Sequence, residues 1–277
     1  MTFSIVGFDP KEKEWGIAVQ SKFIGVGAVV PFARAGAGAV ATQSYANTAY
    51  GPHALQLMEE GKTAEEALEI IMQDDPERHL RQVGLIDALG NAATFTGEGC
   101  YDWAGGMTGE NFAAQGNILV DQRTVEAMAE TFTAAEGTLA ERLLKALDAG
   151  QEAGGDSRGK QSAAIYVVKE AGGYGGFNDR LIDLRVDDHP DPIKELIRIF
   201  NLHQLYFAAS KPERVVPVDG SVQEELQAEL ERHGYMKEDK TVSQALRDYL
   251  HTENFEMREH EGSIDLDVLE FMKKQGR

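Results

Sequence analysis

The chain has 277 residues, with 46 acidic and 27 basic side chains and a formal net charge of −19. This charge repels nucleic acid backbones and anionic membrane surfaces, so neither is an expected partner. The hydrophobic content of 42% supports one large domain or two smaller ones. No apolar run is long enough to span a bilayer, and no secretory signal is evident. The single cysteine, Cys100, excludes an internal disulfide and suits a reducing compartment, so we expect a cytoplasmic protein.

The N-terminal stretch predicts a buried β-sheet. It contains four apolar, β-prone runs, at residues 3–8, 15–19, 24–30 and 37–42. A charged turn separates the first two runs, which is typical of a hairpin. The runs are rich in Ala, Gly and Val, and such small side chains suit a sheet with close packing on both faces.

Thr2 lies at the start of the first predicted strand, next to the initiator methionine. Methionine aminopeptidase removes Met1 when a small residue follows it, which would give Thr2 a free α-amine. That amine, with a pKa near 8, can act as general base for the Thr2 hydroxyl. The alternative is an ordinary threonine in a strand, a position that favours β-branched residues.

The pattern then alternates between pairs of helices and groups of strands. Thr63 and Glu66 form a capping-box signature for the second helix. The predicted order is four strands, two helices, three strands, two helices and more strands, the later ones at residues 83–87, 92–96, 112–119 and 162–168. Strands in groups favour antiparallel sheets covered by helices. We therefore predict an α+β fold, a four-layer αββα sandwich of antiparallel sheets, followed by a small helical domain.

Two glycine-rich stretches come close to nucleotide-binding motifs. Residues 154–161 have the spacing of a P-loop, but Gln161 stands where Ser or Thr would bind magnesium. The loop also follows a helix and precedes a strand, the reverse of the required order. Residues 36–41 resemble a dinucleotide fingerprint but run into a strand. Neither motif predicts a cofactor.

Two further groups of residues are candidates for reactive sites. Asp187 and His189 could share one side of an extended segment and bind a metal. The stronger interpretation is an acidic turn in which Asp191 caps a helix that begins at Pro192. Cys100 has no adjacent base or basic residue to lower its pKa, so we expect it to pack rather than to react. No metal site is predicted.

Six segments together resemble a bacterial family of domains of unknown function, family 1028, which is assigned to the N-terminal nucleophile (Ntn) hydrolase-like fold. The segments are TFSIV (2–6), AVQSKF (18–23), GAVATQ (38–43), QGNIL (115–119), GGDSRG (154–159) and RVDDHP (185–190). The resemblance covers residues 1–205 and implies the same αββα sandwich.

The resemblance also implies roles for individual residues. Thr2 occupies the position of the nucleophile. Lys22, or alternatively Arg34, lies where related enzymes keep a cation, and Gln20 and Ser21 lie near the position of an aspartate. The backbone N–H groups of Gln43 and Ser44 are in the region of an oxyanion hole. The residues implied to line the same cleft are Asn117, Asp156 and Ser162.

A polar segment with prolines at residues 210–220 is typical of a domain boundary. We therefore predict a small helical domain over residues 206–277, in which apolar helical patterns follow this segment. The segments 225–235, 253–256 and 264–265 resemble a peptidoglycan-binding helical domain. This resemblance implies a peptidoglycan fragment as ligand. The residues are equally compatible with a cytoplasmic muropeptide as ligand and with a domain that binds no glycan.

Two functions from different classes follow. The first is an Ntn amidohydrolase that cleaves an amide bond in a small molecule or peptide without a cofactor. The second is a non-catalytic binding or assembly protein that retains the fold, and a homo-oligomer is compatible with either. Retention of Met1 would favour the second function.

Overall fold

The computed structural model describes residues 2–276, and Met1, whose removal the threonine mechanism requires, lies outside this range. The described residues form two compact units, on either side of the bond between Arg198 and Ile199. In residues 2–276, no helix has both the length and the apolar character needed to cross a membrane. Within the same range, no group of three or more His, Cys, Asp or Glu side chains is placed to hold a metal ion.

The first unit contains a six-stranded antiparallel sheet in the spatial order β10-β9-β2-β1-β8-β7. Its strands are β1 (Thr2–Asp9), β2 (Glu14–Ser21), β7 (Gly105–Gly109), β8 (Phe112–Asn117), β9 (Ser162–Lys169) and β10 (Arg180–Val186). The predicted hairpin joins β1 and β2, and Asp9 Oδ1 accepts the N–H groups of Lys11 and Glu12 in its turn. Every residue of β2 is buried, as the small-residue pattern predicts.

A second antiparallel sheet has four strands in the order β3-β4-β5-β6. Its strands are β3 (Pro31–Arg34), β4 (Gly38–Ser44), β5 (Arg81–Asp87) and β6 (Ala92–Thr96). The prediction of a strand at residues 24–30 is wrong, because a 3-10 turn spans Val26–Ala28 and β3 begins only at Pro31. Gly25 has a φ of +63°, which breaks the extended chain there.

Four helices pack on these sheets. They are α1 (Tyr50–Glu59), α2 (Ala64–Gln73), α3 (Arg123–Ala134) and α4 (Leu139–Glu152). The apolar faces of α1 and α2 form one core cluster with the four-stranded sheet. The helices α3 and α4 pack on the six-stranded sheet, and the remaining faces of the two sheets pack on each other through residues such as Val6, Ile17 and Ala41. The predicted capping box is present, because Thr63 and Glu66 exchange side-chain and backbone hydrogen bonds at the start of α2.

The start of the next helix agrees with the sequence-based interpretation, and the Asp191 carboxylate accepts a hydrogen bond from Lys160 Nζ at 3.0 Å. The helix α5 (Pro192–Phe207) begins at Pro192, and His189 Nδ1 accepts the Asp191 N–H at 3.0 Å, which occupies one ring nitrogen. The helix continues beyond the predicted end at Phe200. Cys100 is buried, with its Sγ atom 3.4 Å from the carbonyl oxygen of Arg81.

The C-terminal unit is mainly helical around its own core. Its elements after α5 are β11 (Val215–Pro217), α6 (Gly220–Arg232), α7 (Val242–Thr252), β12 (Ser263–Asp265) and α8 (Leu266–Lys274). The apolar patterns of the sequence form this core, which includes Leu226, Tyr249 and Val268. A buried ion pair joins Arg258 to Asp265 at 2.7 Å.

Candidate functional site

Thr2 lies at the start of a central strand, on the face of the six-stranded sheet that meets the other sheet. Phe3 pairs with Gln20 across β1 and β2, so Thr2 is opposite Ser21. The Thr2 hydroxyl donates a hydrogen bond to Ser21 Oγ at 3.1 Å. Only 5% of Thr2 is exposed, so its hydroxyl is accessible only from a cavity.

That cavity has a volume of about 80 Å³. It is lined by Thr2, Ser21, Phe23, Val26, Val29, Val30, Gln43, Ser44, Ala46 and Arg158. Sites for whole small molecules usually enclose about 300 Å³ or more. The cavity therefore suits the reacting group of a ligand rather than an entire ligand.

Ser44 forms one side of this cavity in an unusual backbone conformation. It is the last residue of β4, and its φ is +69°. A non-glycine residue in this left-handed region costs about 1–2 kcal/mol. Such conformations concentrate at functional sites, where the surrounding contacts hold them in place.

The segment after Ser44 is held by a carboxylate cluster centred on Asp75. Asp75 Oδ2 accepts hydrogen bonds from Arg81 Nε at 2.9 Å and from the Tyr50 hydroxyl at 2.5 Å. Arg81 also donates to the carbonyl oxygen of Tyr45 at 2.7 Å. These bonds connect the cavity wall to α1 and β5. The Arg81 hydrogen bond is the main cause that lowers the pKa of Asp75 well below its usual range.

We expect Asp75→Asn to lower the free energy of unfolding at pH 7 by about 2 kcal/mol, because Arg81 loses a charged partner. A depressed carboxyl pKa stabilises the folded state above the unfolded pKa of about 3.9, and this contribution declines as the pH falls towards the folded pKa. Denaturant unfolding should therefore show a constant wild-type advantage from about pH 5 to 7 that shrinks below about pH 4.

The neighbouring exposed Asp74 provides the matched control. Asp74→Asn should change the free energy of unfolding little, both between about pH 5 and 7 and below about pH 4. An equal loss for the Asp74 and Asp75 variants would show that the cluster contributes nothing specific.

Arg158 brings a positive charge to the cavity. Its guanidinium contacts the buried carboxylate of Asp156, with Nη2 at 3.2 Å from Oδ2. The same Oδ2 accepts the backbone N–H of Lys22 at 2.9 Å. Asp156 therefore connects the loop after α4 to the end of β2 and orients Arg158.

Two cations considered from the sequence lie elsewhere. The Lys22 ammonium donates to the carbonyl oxygen of Lys160 at 3.4 Å, and Lys22 is not part of the cavity lining. Ser21 is the last residue of β2, and the side chain of Lys22 beyond it reaches Lys160 and not Thr2. Arg34 forms an ion pair with Glu59 of α1. The cation at the cavity is thus Arg158.

Three other residues predicted from the sequence do not line the cavity but contact residues that support its lining. Asp156 holds Arg158, as described above. Asn117 is opposite Thr2 on β8 and donates to Gln82 Oε1 at 2.8 Å. Ser162 accepts the Val26 N–H at 3.1 Å, which fixes the 3-10 turn of the lining.

A chain of buried side-chain hydrogen bonds supports the site from the interface between the sheets. Gln115 Nε2 donates to Ser4 Oγ, which donates to Gln43 Oε1, at 2.7 and 2.6 Å. Gln43 Nε2 donates to Gln82 Oε1 at 2.8 Å and to the Thr2 carbonyl oxygen at 3.2 Å. Gly84 makes room for this chain, because a Cβ there would lie 2.0 Å from Gln115 Oε1. We call Ser4, Gln43, Gln82, Gln115 and Asn117 the amide network.

Gln20 lies outside the amide network. It pairs with Phe3, so it faces the opposite side of the sheet from Thr2 and Ser21. It is fully buried, and neither amide atom has a hydrogen-bond partner among residues 2–276. Its position excludes direct contact with the Thr2 hydroxyl.

Sequence reasoning brought together Thr2, Ser21, Gln43 and Ser44, all of which line the cavity. It missed Arg158 of the GGDSRG motif, because a long-range hydrogen bond from the Lys22 backbone to Asp156 places that loop at the cavity. It also missed Gln82 and Gln115. A glutamine within an otherwise apolar buried strand was the available signal.

Comparison with known proteins gives the family. Residues 2–196 match the model of a family of unknown function, DUF1028, and residues 206–272 match that of a peptidoglycan binding domain. A crystal structure of a DUF1028 protein from Silicibacter pomeroyi is 34% identical, with a TM-score of 0.67 over 73% of this chain and 89% of that one. No curated protein matches the chain. The chain therefore belongs to the DUF1028 family, and its residues 206–272 are similar to a peptidoglycan binding domain.

Proposed function

We propose that the chain is an N-terminal threonine amidohydrolase that cleaves an amide bond in a small molecule or peptide. One observation carries the proposal: Thr2, Ser21, Gln43, Ser44 and Arg158 surround a single cavity at the start of β1. A hydroxyl, a strained turn and a cation converge there on a space for one reacting group. Such a convergence is the expected pattern of an acyl-transfer site.

We infer that the two sheets and their four covering helices form the αββα sandwich of Ntn hydrolases. The face-to-face packing of the sheets and the helices on each outer side support this inference. In that fold, the nucleophile is the first residue of a strand at the sheet interface. Thr2, the first residue of β1, has this position.

The proposed reaction uses atoms of Thr2 alone for bond making and proton transfer. Once its α-amine is free, that amine takes the hydroxyl proton while Oγ attacks the carbonyl carbon. The new C–O bond forms as the amide C–N bond breaks, and the leaving amine carries the proton away. Water then hydrolyses the ester and restores Thr2. No cofactor is needed.

The edge of β4 provides a candidate donor for the developing oxyanion. The Thr42 N–H donates to the carbonyl oxygen of Val30 at 3.1 Å. Alternate residues of an antiparallel strand direct their N–H groups to the same edge, so the Ser44 N–H faces the side on which Val30 lies. Val30 and Ser44 both line the cavity. The Ser44 N–H is therefore our candidate for the oxyanion hole.

Arg158 has two compatible roles in this proposal. Its ion pair with Asp156 weakens the field of the guanidinium, but Arg158 lines the cavity and Asp156 does not. The nearer positive charge disfavours protonation of the Thr2 amine and keeps more of it as free base at neutral pH. The guanidinium also suits a carboxylate on the substrate. Both roles predict that Arg158, and not Lys22, affects acylation.

Acylation by a β-lactone tests the proposal. We expect one adduct, mapped by peptide mass spectrometry to Thr2, and Arg158→Gln should slow its formation about fivefold because the amine pKa rises. Lys22→Gln is the matched control and should stay within about twofold of wild type, since its ammonium is exposed. An adduct on another residue, or an equal effect of the two substitutions, would contradict the assignment.

The second candidate function is a binding protein that uses the C-terminal unit. The match of residues 206–272 to a peptidoglycan binding domain favours it. Under this alternative, the Thr2 cavity is a structural remnant, and wild type forms no adduct. For both candidates we propose a cytoplasmic setting, because the single cysteine suits a reducing compartment.

A further inference from the structure

The C-terminal unit contains a second and larger cavity, which lies far along the chain from Thr2. Its volume is about 410 Å³, within the range of small-molecule sites. It is lined by Gly234, Tyr235, Lys237, Lys240, Asp248, His251 and Thr252. No residue of the Thr2 cavity contributes to it.

The cavity forms because the chain reverses after α6 and runs beside α7. Gly234, with a φ of +80°, ends α6, and the Tyr235 N–H donates to the carbonyl oxygen of Leu230 at 2.8 Å. On α7, Asp248, His251 and Thr252 are spaced i, i+3 and i+4, so they share one face. The other face of α7 packs in the core through residues such as Leu246 and Tyr249.

The lining contains two lysines, Lys237 and Lys240, and one carboxylate, Asp248. Lys240 is neutralised by an ion pair with Asp248. Lys237 is exposed, and its ammonium forms no ion pair with any residue from 2 to 276. His251 contacts Glu259 Oε2 at 2.8 Å, so Glu259 balances any charge on that ring. Among the lysines and carboxylates of the lining, Lys237 and Lys240 therefore outnumber Asp248 by one positive charge.

The same loop also provides an aromatic ring that its contacts hold in place. Tyr235 contacts Tyr249 edge to face, with ring centroids 5.3 Å apart, and its hydroxyl lies 3.4 Å from Glu253 Oε1. These contacts fix the ring orientation before any ligand arrives. A fixed ring next to a hydroxyl and a cation suits a ligand with an apolar sugar or peptide face and one carboxylate.

We propose that this cavity binds a peptidoglycan fragment through its free carboxylate, with Lys237 as the carboxylate partner and Tyr235 as the packing surface. The proposal rests on the peptidoglycan candidate function of the C-terminal unit and is independent of chemistry at Thr2. It specifies which cavity of that unit binds the ligand and which chemical group of the ligand, a carboxylate, is bound there.

The test uses the full-length chain and muramyl dipeptide, which carries a free carboxylate. Isothermal titration calorimetry should show binding that Lys237→Gln weakens about fivefold, the effect of losing one partly exposed charge pair. Lys274→Gln, an exposed lysine on α8 outside the lining, is the control and should bind as wild type does. Neutral chitotriose should bind more weakly than muramyl dipeptide.

Each contrary outcome overturns a separate part of the proposal. Binding that Lys237→Gln leaves intact would overturn the site while the peptidoglycan function stands. Equal binding of chitotriose would overturn recognition through the carboxylate. No binding of either ligand to wild type would overturn both the site and the peptidoglycan function.

Discussion

Thr2→Ala should abolish acylation by a β-lactone, with a rate loss of about a thousandfold or more, because the attacking oxygen is gone. Mass spectrometry of the intact protein measures this directly over time. The variant loses one buried hydrogen bond, to Ser21 Oγ, which contributes about 1 kcal/mol to stability. We therefore expect it to fold, so the lost reaction reports on chemistry.

Two companion variants distinguish the nucleophile from its neighbour. Thr2→Ser keeps the hydroxyl and should keep a measurable rate of acylation. Ser21→Ala removes the partner of the Thr2 hydroxyl but not the nucleophile, so its adduct should still map to Thr2. Two results would refute the assignment of Thr2 as nucleophile: acylation of Thr2→Ala at the wild-type rate, or a wild-type adduct that maps to Ser21.

Gln82→Met should lower the free energy of unfolding by about 3 kcal/mol, because it leaves several buried groups without partners. Gln82 Oε1 accepts from Gln43 and Asn117, both at 2.8 Å. Its Nε2 donates to the carbonyl oxygen of Gly116 at 2.7 Å and to Thr96 Oγ1 at 2.9 Å. Methionine has a similar volume but cannot replace these bonds. Denaturant unfolding at constant pH gives the value.

Gln56→Met is the matched control for this prediction. Gln56 lies on α1 and donates to Glu60 at an exposed position, so we expect a change within about 0.5 kcal/mol. If Gln82→Met were no more destabilising than the control, the amide network would not stabilise the interface between the sheets.

Most of the strands were predictable because their side chains follow simple local rules. The hairpin of β1 and β2 has two apolar runs around a charged turn, and the helix α2 begins with a capping box. The strand β7 was not predicted, because Gly105–Gly109 contains three glycines and no apolar alternation. The wrong strand at residues 24–30 had an apolar composition, but the conformation of Gly25 prevents an extended chain.

The predicted part of the site comes from adjacent strands. Thr2 and Ser21 are close because a hairpin fixes their register, which the sequence reveals. Arg158 depends on a loop more than a hundred residues away, whose position is set by the bond between Asp156 and the Lys22 backbone. Sequence spacing also placed Lys22 near Thr2, but its ammonium donates to the carbonyl oxygen of Lys160 and Lys22 does not line the cavity. The sequence therefore did not reveal which loops distant along the chain reach the cavity.

The central claim, that Thr2 acts through its own α-amine, is tested most directly at the N-terminus. Intact mass and N-terminal sequencing of the protein from its native host measure whether Thr2 is the first residue. The proposed mechanism predicts a chain that begins at Thr2, shorter by one methionine than the printed sequence. A native protein that retains Met1 in full would contradict the mechanism and favour the binding function.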